Sequence, residues 1–462
     1  MSDKIVLRKI QENRVNYIKN NKALILSILA ISLPAIAEMA LNTLVGIADT
    51  LMISRIIGKE ALAAAGYANQ VVFTTIFIFS SFNIGATAII ARCYGEKDYD
   101  RLKDAAGQNL LLNVSIGLLV TILSLLLSRR LMGIFEMTPE VTGMGVSYLN
   151  IVSCSQIFMF ISFAASASLR GVQDTRTPMI ITGMVNILNI IGNYVLMTGF
   201  WFFPNLGLEG AAISTTCSRL IGAAAFILVL LRNKGHLRLE LHRLRISSEV
   251  LKPLWKLSSV AGIEQFLMQI SFFVMSIIIS LLNTDSEAAF RVMLTIEQVS
   301  FMPAIGISIA ASTLVGKALG EQDRHKARLT GYISAGFGIL WGIFMGSIFI
   351  FYPSIIVQAF TDDAGVIKNV LSAMPYAGLD QPLLAFIIIL SGALRGAGDT
   401  RSVMSISIGR LWLVFVPLTY VFVVYLHMGI KSVYIAEIFS LLLFDTIIYL
   451  RFRSGKWMDI KL

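Results

Sequence analysis

The segment "LRGVQDTRTPM" at residues 169–179 returns as "LRGAGDTRSVM" at residues 394–404, an offset of 225 residues (394 − 169). A second segment repeats at the same offset: "RCYGEKD" (92–98) answers to "KALGEQD" (317–323), so that Gly95, Glu96 and Asp98 match Gly320, Glu321 and Asp323. Two independent matches at one offset mean that the chain is written twice. About six apolar runs separate equivalent points. Six is even, so the two halves enter a membrane in the same direction, and parallel repeats of this kind hold substrate and coupling-ion sites between or within the halves. Duplication that serves only to build a stable bundle is the alternative.

Of 462 residues, 56% are hydrophobic and 14% charged, and the mean hydropathy is +0.75. A soluble domain carries about 25% charged residues, so this composition describes a polytopic membrane protein. Runs long enough to cross about 30 Å of hydrocarbon stand near 23–55, 62–91, 105–128, 142–168, 177–200, 208–231, 254–282, 287–315, 329–352, 367–393, 402–427 and 431–450. The expected fold is all-α: twelve transmembrane helices in two six-helix repeats of parallel topology. The expected division is an N-terminal cytoplasmic segment (1–22), a first six-helix lobe (23–231), a basic linker (232–253), a second lobe (254–452) and a cytoplasmic tail (453–462). The opening segment is basic but too long, too polar and without a small-residue cleavage site, so it reads as a cytoplasmic amphipathic segment, not a cleaved signal.

The net charge of +10 is spread over loops, which argues against nucleic acid and follows the positive-inside pattern. Arg92, Lys97, Arg101 and Lys103 follow the second run, Arg170 and Arg176 the fourth, and Lys317, Arg324, Lys326 and Arg328 the eighth. Arg395 and Arg401 follow the tenth run, and Arg451, Arg453 and Lys456 the twelfth. Every even-numbered helix therefore ends on the basic side, with Arg129 and Arg130 as the main dissent. A multi-pass protein of the inner (plasma) membrane with both termini cytoplasmic is expected. The loop "RNKGHLRLELHRLRISSEVLKPLWK" (232–256) is the most basic of all. Its "LRLELHRLR" is read either as lying flat on anionic lipid or as a solvated linker.

The repeated motifs fall in short connections, where Gly with Asp, Thr and Arg suits a tight turn followed by an N-cap. Asp174–Thr175 and Asp399–Thr400 are expected to cap helices 5 and 11. Cys93, Cys154 and Cys217 are too scattered for a disulfide framework or metal cluster and read as small core fillers. No histidine has zinc-ligand spacing. A sequon at Asn113 falls inside the third helix, which argues against glycosylation.

Charges at membrane depth are the candidate chemistry, because each costs at least roughly 2.5–3.5 kcal/mol and persists only for a reason. In "LPAIAEMALNTLVGIADTLMISRIIG" (33–58), Glu38, Asn42, Gly46 and Asp49 are spaced to share one face of a helix. That face should line a cavity. On helix 5, "VNILNIIGNYVLMTG" (185–199) sets Asn186, Asn189 and Asn193 on one face, with Thr215 and Thr216 on helix 6 available to complete a polar pocket. Interhelical hydrogen bonding is the alternative reading of these amides. The second half carries Glu264, Gln265 and Gln269 on helix 7, Glu297 and Gln298 on helix 8, Asp380 and Gln381 on helix 10, and Asp445 on helix 12, of which Glu264, Gln269, Glu297 and Asp380 are the candidates for an ion site in this lobe. A buried Arg generally has a carboxylate partner. Arg410 therefore calls for Glu264 or Glu297, while Arg291 either has one or reaches water, and an acid so paired is structural.

With Pro34 preceding "ADTLMISRIIGKEALAA" (48–64), "FNIGATAIIARCYGEKD" (82–98), "LRGVQDTRTP" (169–178), "LGLEGAAIST" (206–215) and "SGALRGAGDT" (391–400), the chain resembles the multidrug and toxic compound extrusion (MATE) family over essentially its whole length. The resemblance implies a cation-coupled antiporter that expels amphipathic, often cationic, compounds by alternating access. It implies no bound cofactor beyond the coupling ion, H+ or Na+. Asp49 matches the family's acidic residue on helix 1, and Pro34 the proline at which that helix bends. Asn193 stands where several relatives carry Asp, which leaves Asp49 as the main titrating group of its half. Glu264 and Asp380 fall about one turn from the family's acidic positions on helices 7 and 10.

The expected partners are small amphipathic molecules, H+ or Na+ and membrane lipids, with the protein a monomer. The 28 Phe and 19 Met supply adaptable apolar surface for varied ligands. The rivals are a lipid-linked precursor flippase of the same superfamily, a membrane-embedded enzyme, and a channel. A flippase would want a cationic cavity for diphosphate. An enzyme would want HExxH or GxSxG, neither of which occurs, or a DxxxD pair at membrane depth, whereas the DxxxD spacing present, Asp100–Asp104, lies in the charged connection before the third run; a GxxxxGK[ST] loop for ATP is also missing.

Overall fold

The computed structural model describes the backbone of residues 2–232, 235–240 and 247–462, and the side chains from residue 22 onward. The expectations of an amphipathic segment before residue 22 and of a surface-lying "LRLELHRLR" rest largely on side chains outside these described residues.

Among the described residues eleven helices are long and apolar enough to cross a membrane, a bent pair counted as one span makes twelve, and no strands occur. The spans of the first half are α1 (Lys22–Ile56, the apolar part of a helix that begins at Ser2), α2 (Lys59–Glu96), α3 (Tyr99–Gly133), α4 (Pro139–Ser153 and Gln156–Gly171, bent by 43°), α5 (Arg176–Thr198) and α6 (Gly207–Arg232). The second half has α7 (Ser248–Ser280), α8 (Thr284–Gly320), α9 (Arg324–Phe351), α10 (Ala364–Gly396), α11 (Thr400–Tyr425) and α12 (Lys431–Arg453).

Turn chemistry marks the helix ends. The α2–α3 turn places Lys97 in the left-handed region (φ 60°), and Asp98 then accepts a hydrogen bond from Arg101 N (3.1 Å). The α8–α9 turn does the same with Gln322 (φ 60°) and Asp323, which accepts from Lys326 N at 2.8 Å. Gln173 (φ 69°) and Gly398 (φ 89°) are another matched pair at the duplication offset. Duplication is thus visible in backbone angles as well as in letters.

The caps expected on α5 and α11 diverge. Asp174 caps α5, accepting from Thr177 N at 3.0 Å and from the Thr177 hydroxyl at 2.6 Å. Asp399 does not cap α11; its carboxylate accepts from Arg451 Nε at 2.7 Å instead. The reason is that α12 ends beside it and delivers a guanidinium, which outcompetes a backbone N–H for a carboxylate. Thr175 also bonds elsewhere, to Ile31 O on α1 at 2.9 Å.

The halves meet through α1 against α8 and α2 against α7 and α8. Lipid tails are as apolar as leucine, so close backbone approach through small residues supplies the attraction. At the end of the bundle that carries the basic loops, the two repeated turns are pressed together. A Cβ on Gly95 would strike Lys317 O, and one on Gly320 would strike Arg92 O, with Glu96 N at 2.8 Å. Only glycine fits at either place, which explains why both copies of the motif keep it. The bundle is closed at this basic end.

Helices α4 and α11 are among those irregular where they carry polar groups. α4 breaks at Cys154 and Ser155, whose hydroxyl bonds back to Val152 O at 2.6 Å. α11 contains π-helical stretches at Gly409–Phe415 and Val421–Tyr425, and Arg410 sits on the first. Asn113 of the sequon is fully buried in α3, bonded to Asn83 and Asn109.

Candidate functional site

Helix α1 has two exposed faces. Leu44, Ile47 and Leu51 are 61%, 51% and 51% exposed and share one side, as lipid requires. Asn42 and Gly46 are exposed on the opposite side, where 3.6 residues per turn also puts Glu38 and Asp49. A polar face open opposite a lipid face is the arrangement a cavity wall requires.

Asp49 is half-buried at its edge. Its Oδ1 accepts from Asn193 Nδ2 at 2.6 Å, and Asn193 Nδ2 also approaches Asn189 Oδ1 at 3.4 Å. Asn189 Nδ2 in turn donates to Thr215 Oγ1 at 3.1 Å, and its main-chain oxygen accepts from Ser214 Oγ at 2.9 Å. A chain of hydrogen bonds therefore runs from α1 through α5 to α6. It has one loose end: Asn193 Oδ1 is buried without a partner among the described residues.

The other proposed pocket residues take no part in this chain of hydrogen bonds. Asn186 is buried on α5, with an Nδ2 that finds no acceptor among the described residues. Thr216 turns away from the cavity, donating to Ile151 O of α4 at 3.0 Å, because adjacent residues on a helix diverge by about 100°. Arg219, one turn beyond Thr215, did not figure among the sequence candidates. It reaches into the break of α4 to donate to Ser155 Oγ at 2.8 Å, and stands within electrostatic reach of Asp49 and Tyr148. An Arg in an apolar run of α6 was the available signal.

Glu38 shares a face with Asp49 but not its surroundings. Eleven residues of helix separate them, roughly 16 Å along the axis. Both carboxylate oxygens of Glu38 accept from Arg170 Nη2 at 2.8 Å. The duplication repeats the arrangement: Arg395, at the offset position, donates to Glu264 Oε1 at 2.7 Å. Each pair has a carboxylate almost wholly buried (7% and 3% side-chain exposure). Glu264 is therefore the counterpart of Glu38, and Asp380, fifteen residues before Arg395 on α10, lies roughly 22 Å from the pair along the helix. The grouping of Glu264 with Glu297 and Asp380 at one ion site does not survive in this geometry. Gln269, half-buried on α7, stands between the two levels.

Glu38→Gln is expected to destabilise the fold by about 3–5 kcal/mol, because it strands a buried guanidinium. Adding Arg170→Gln should recover part of that loss. Thermal unfolding in detergent of the two single variants and the double variant measures the coupling, and strictly additive losses would show that the pair contributes nothing as a pair.

In the second half, Glu297 of α8, Asp380 of α10 and Glu437 of α12 gather around the buried Tyr434, within electrostatic reach of one another. Gln381 Nε2 donates to Asp380 Oδ1 at 3.0 Å, and Ser300 Oγ to Gln381 Oε1 at 2.5 Å. Arg410 is partnered by neither Glu264 nor Glu297. Its Nη1 lies 3.4 Å from Glu437 Oε1 and 3.5 Å from Ser440 Oγ. The π-helical turn re-aims the side chain from where a regular helix would point it. Both oxygens of Asp445 are buried without hydrogen bonds among the described residues. Arg291, on the second turn of α8, is 74% exposed and pairs with Glu287 at 2.8 Å.

The MatE family model matches residues 34–195 and again residues 261–421. A probable multidrug resistance protein NorM of Thermotoga maritima is 32% identical over 434 residues, covering 93% of this chain and 92% of that protein. The uncharacterized transporter YisQ of Bacillus subtilis is 24% identical over 440 residues, 94% of this chain and 95% of its own. Among solved structures, a MOP superfamily transporter from Pyrococcus furiosus superposes with TM-score 0.87 at 21% identity, covering 94% of this chain and 96% of the other. The outward-facing conformation of a multidrug resistance MATE family transporter superposes equally well, at 20% identity over the same shares. At these identities the superpositions speak to the fold alone.

Proposed function

The chain belongs to the MatE family and is a multi-pass multidrug efflux transporter, not an enzyme, and from that premise we propose that it is a proton-coupled antiporter exporting amphipathic, cationic organic compounds. The basic end is taken as cytoplasmic, which is what the positive-inside pattern supports. Export then requires the closed basic end to alternate with an open one, as packed interfaces switch between discrete arrangements.

The observation that carries the proposal is the Asp49 carboxylate, held by an amide N–H at the edge of a polar face. Its surroundings favour a proton over sodium as the coupling ion. Sodium wants several oxygen ligands, whereas Asn193 presents nitrogen to the carboxylate and Arg219 brings a positive charge near it. A proton needs one oxygen. Once protonated, Asp49 could donate to Asn193 Oδ1, the acceptor now left without a partner, by a turn of that amide. Pro34, fifteen residues earlier in the same helix, lacks the N–H of a regular turn and is proposed as the point about which α1 repositions this carboxylate.

Efflux of a fluorescent cationic dye from proteoliposomes, with proton and sodium gradients imposed separately, tests the reading. The proton gradient alone is expected to drive transport. Drive by the sodium gradient with none by the proton gradient would refute proton coupling and turn attention to the Glu297–Asp380–Glu437 cluster.

A further inference from the structure

A cavity of about 390 Å³ opens at the basic end, away from the polar face of α1. Its walls are the first turns of α7 (Lys252, Lys256), the α10–α11 connection with the first turn of α11 (Arg401), and the segment 460–462. We propose that it binds the phosphate headgroup of an anionic phospholipid from the leaflet at the basic end.

Charge is the first argument. Lys252, Lys256, Arg401 and Lys461 line the cavity, all are exposed, and none has an ion-pair or hydrogen-bond partner among the described residues. The acidic side chain on the wall, Asp399, is already neutralised by Arg451. Four free cations around one cavity repel one another unless an anion joins them. A basic pocket between transmembrane helices at headgroup depth is what holds an anionic lipid.

Depth is the second. Trp255 stands between the two lysines, 51% exposed, with its ring 5.6 Å from that of Phe82. An exposed tryptophan flanked by lysines at a helix start belongs at the membrane–water interface. Pro253, Leu257 and Ile460 give the same cavity an apolar side, which a glycerol and the head of an acyl chain can use and a free phosphate cannot.

Duplication supplies an internal control. The stretch of α1 that corresponds to the start of α7, residues 23–34, carries no Lys or Arg, so the fold does not require Lys252 and Lys256. In the first half, Asp174 caps α5. In the second, Asp399 is drawn to Arg451, and the first N–H groups of α11 are left without a side-chain cap beside the cavity. That adds partial positive charge to the site. The pocket also sits on a joint between halves: Ile460 O accepts from Arg92 Nη1 at 2.6 Å and Leu462 O from Arg101 Nη2 at 2.7 Å. An occupant would favour the closed basic end.

Native mass spectrometry of the full chain released from phosphatidylglycerol/phosphatidylcholine nanodiscs tests the proposal. Wild type is expected to retain phosphatidylglycerol preferentially, and K252Q/K256Q/R401Q/K461Q to lower that retention by more than about tenfold. Millimolar inorganic phosphate should leave it unchanged. Equal retention by wild type and variant, or no lipid preference in wild type, would overturn the site; displacement by inorganic phosphate would overturn lipid as its source. Should the quadruple variant not elute as a single species, Lys256→Gln alone should still lower retention about fivefold, and retention at the wild-type level would count against the pocket.

Discussion

Asp49→Asn is expected to reduce proton-driven dye efflux to the rate of protein-free vesicles while the protein still inserts and elutes as wild type does. Asn has nearly the volume of Asp and can accept the 2.6 Å hydrogen bond from Asn193 through its amide oxygen. Packing of α1 on α5 should therefore persist. What disappears is the one group of this network that can take up and release a proton: the rest of the chain from Asn193 through Asn189 to Thr215 is amide and hydroxyl. Counterflow exchange of labelled for unlabelled dye, which needs no ion gradient, should survive in the variant. That pairing separates a lost coupling from a lost binding site. Efflux at the wild-type rate under a proton gradient would remove Asp49 from the mechanism, and the same assay on Glu297→Gln and Asp380→Asn would then locate the coupling acid.

Gly320→Leu should have the next largest effect, through the conformational equilibrium instead of the chemistry. A Cβ at this position meets backbone atoms of Arg92 and Glu96, and a neighbouring backbone cannot swing aside as a flexible side chain can. Overpacking of this kind costs about 1–3 kcal/mol. It acts only while the basic end is closed, so it shifts the balance toward the open state by roughly 5- to 150-fold. Spin labels at Glu96 and Glu321 should show a longer distance population in the variant, with turnover falling because the closed state is rarely reached. Gly95→Leu, its partner across the joint, should behave alike. Unchanged distances together with normal efflux would mean that the glycine contact does not take part in gating.

The membrane class, the twelve spans, the duplication and the turns at Lys97–Asp98 and Gln322–Asp323 were legible in the sequence because each is a local or periodic property. An apolar run, an even count of helices and a Gly-Glu-x-Asp turn are read from neighbouring residues alone. Even the face shared by Asn42, Gly46 and Asp49 follows from helical spacing. What only the tertiary structure decided is which polar group meets which. Helical spacing gives a direction around an axis; it does not give the neighbour that stands there. Glu38 and Asp49 point the same way, yet one meets Arg170, 132 residues distant in sequence, and the other Asn193, 144 residues distant. The repeat offset of 225 carries Arg170 onto Arg395 but falls one residue short of Glu264, at Ile263, so the second pair as well as the first came from packing. Arg219 beside Asp49, Asp399 drawn off its helix by Arg451, and Arg410 turned onto Glu437 by a π-helical stretch all depend on how separate helices are set against each other. At membrane depth a buried charge must take whichever partner the packing brings near, so the assignment of these charges belongs to the assembled bundle.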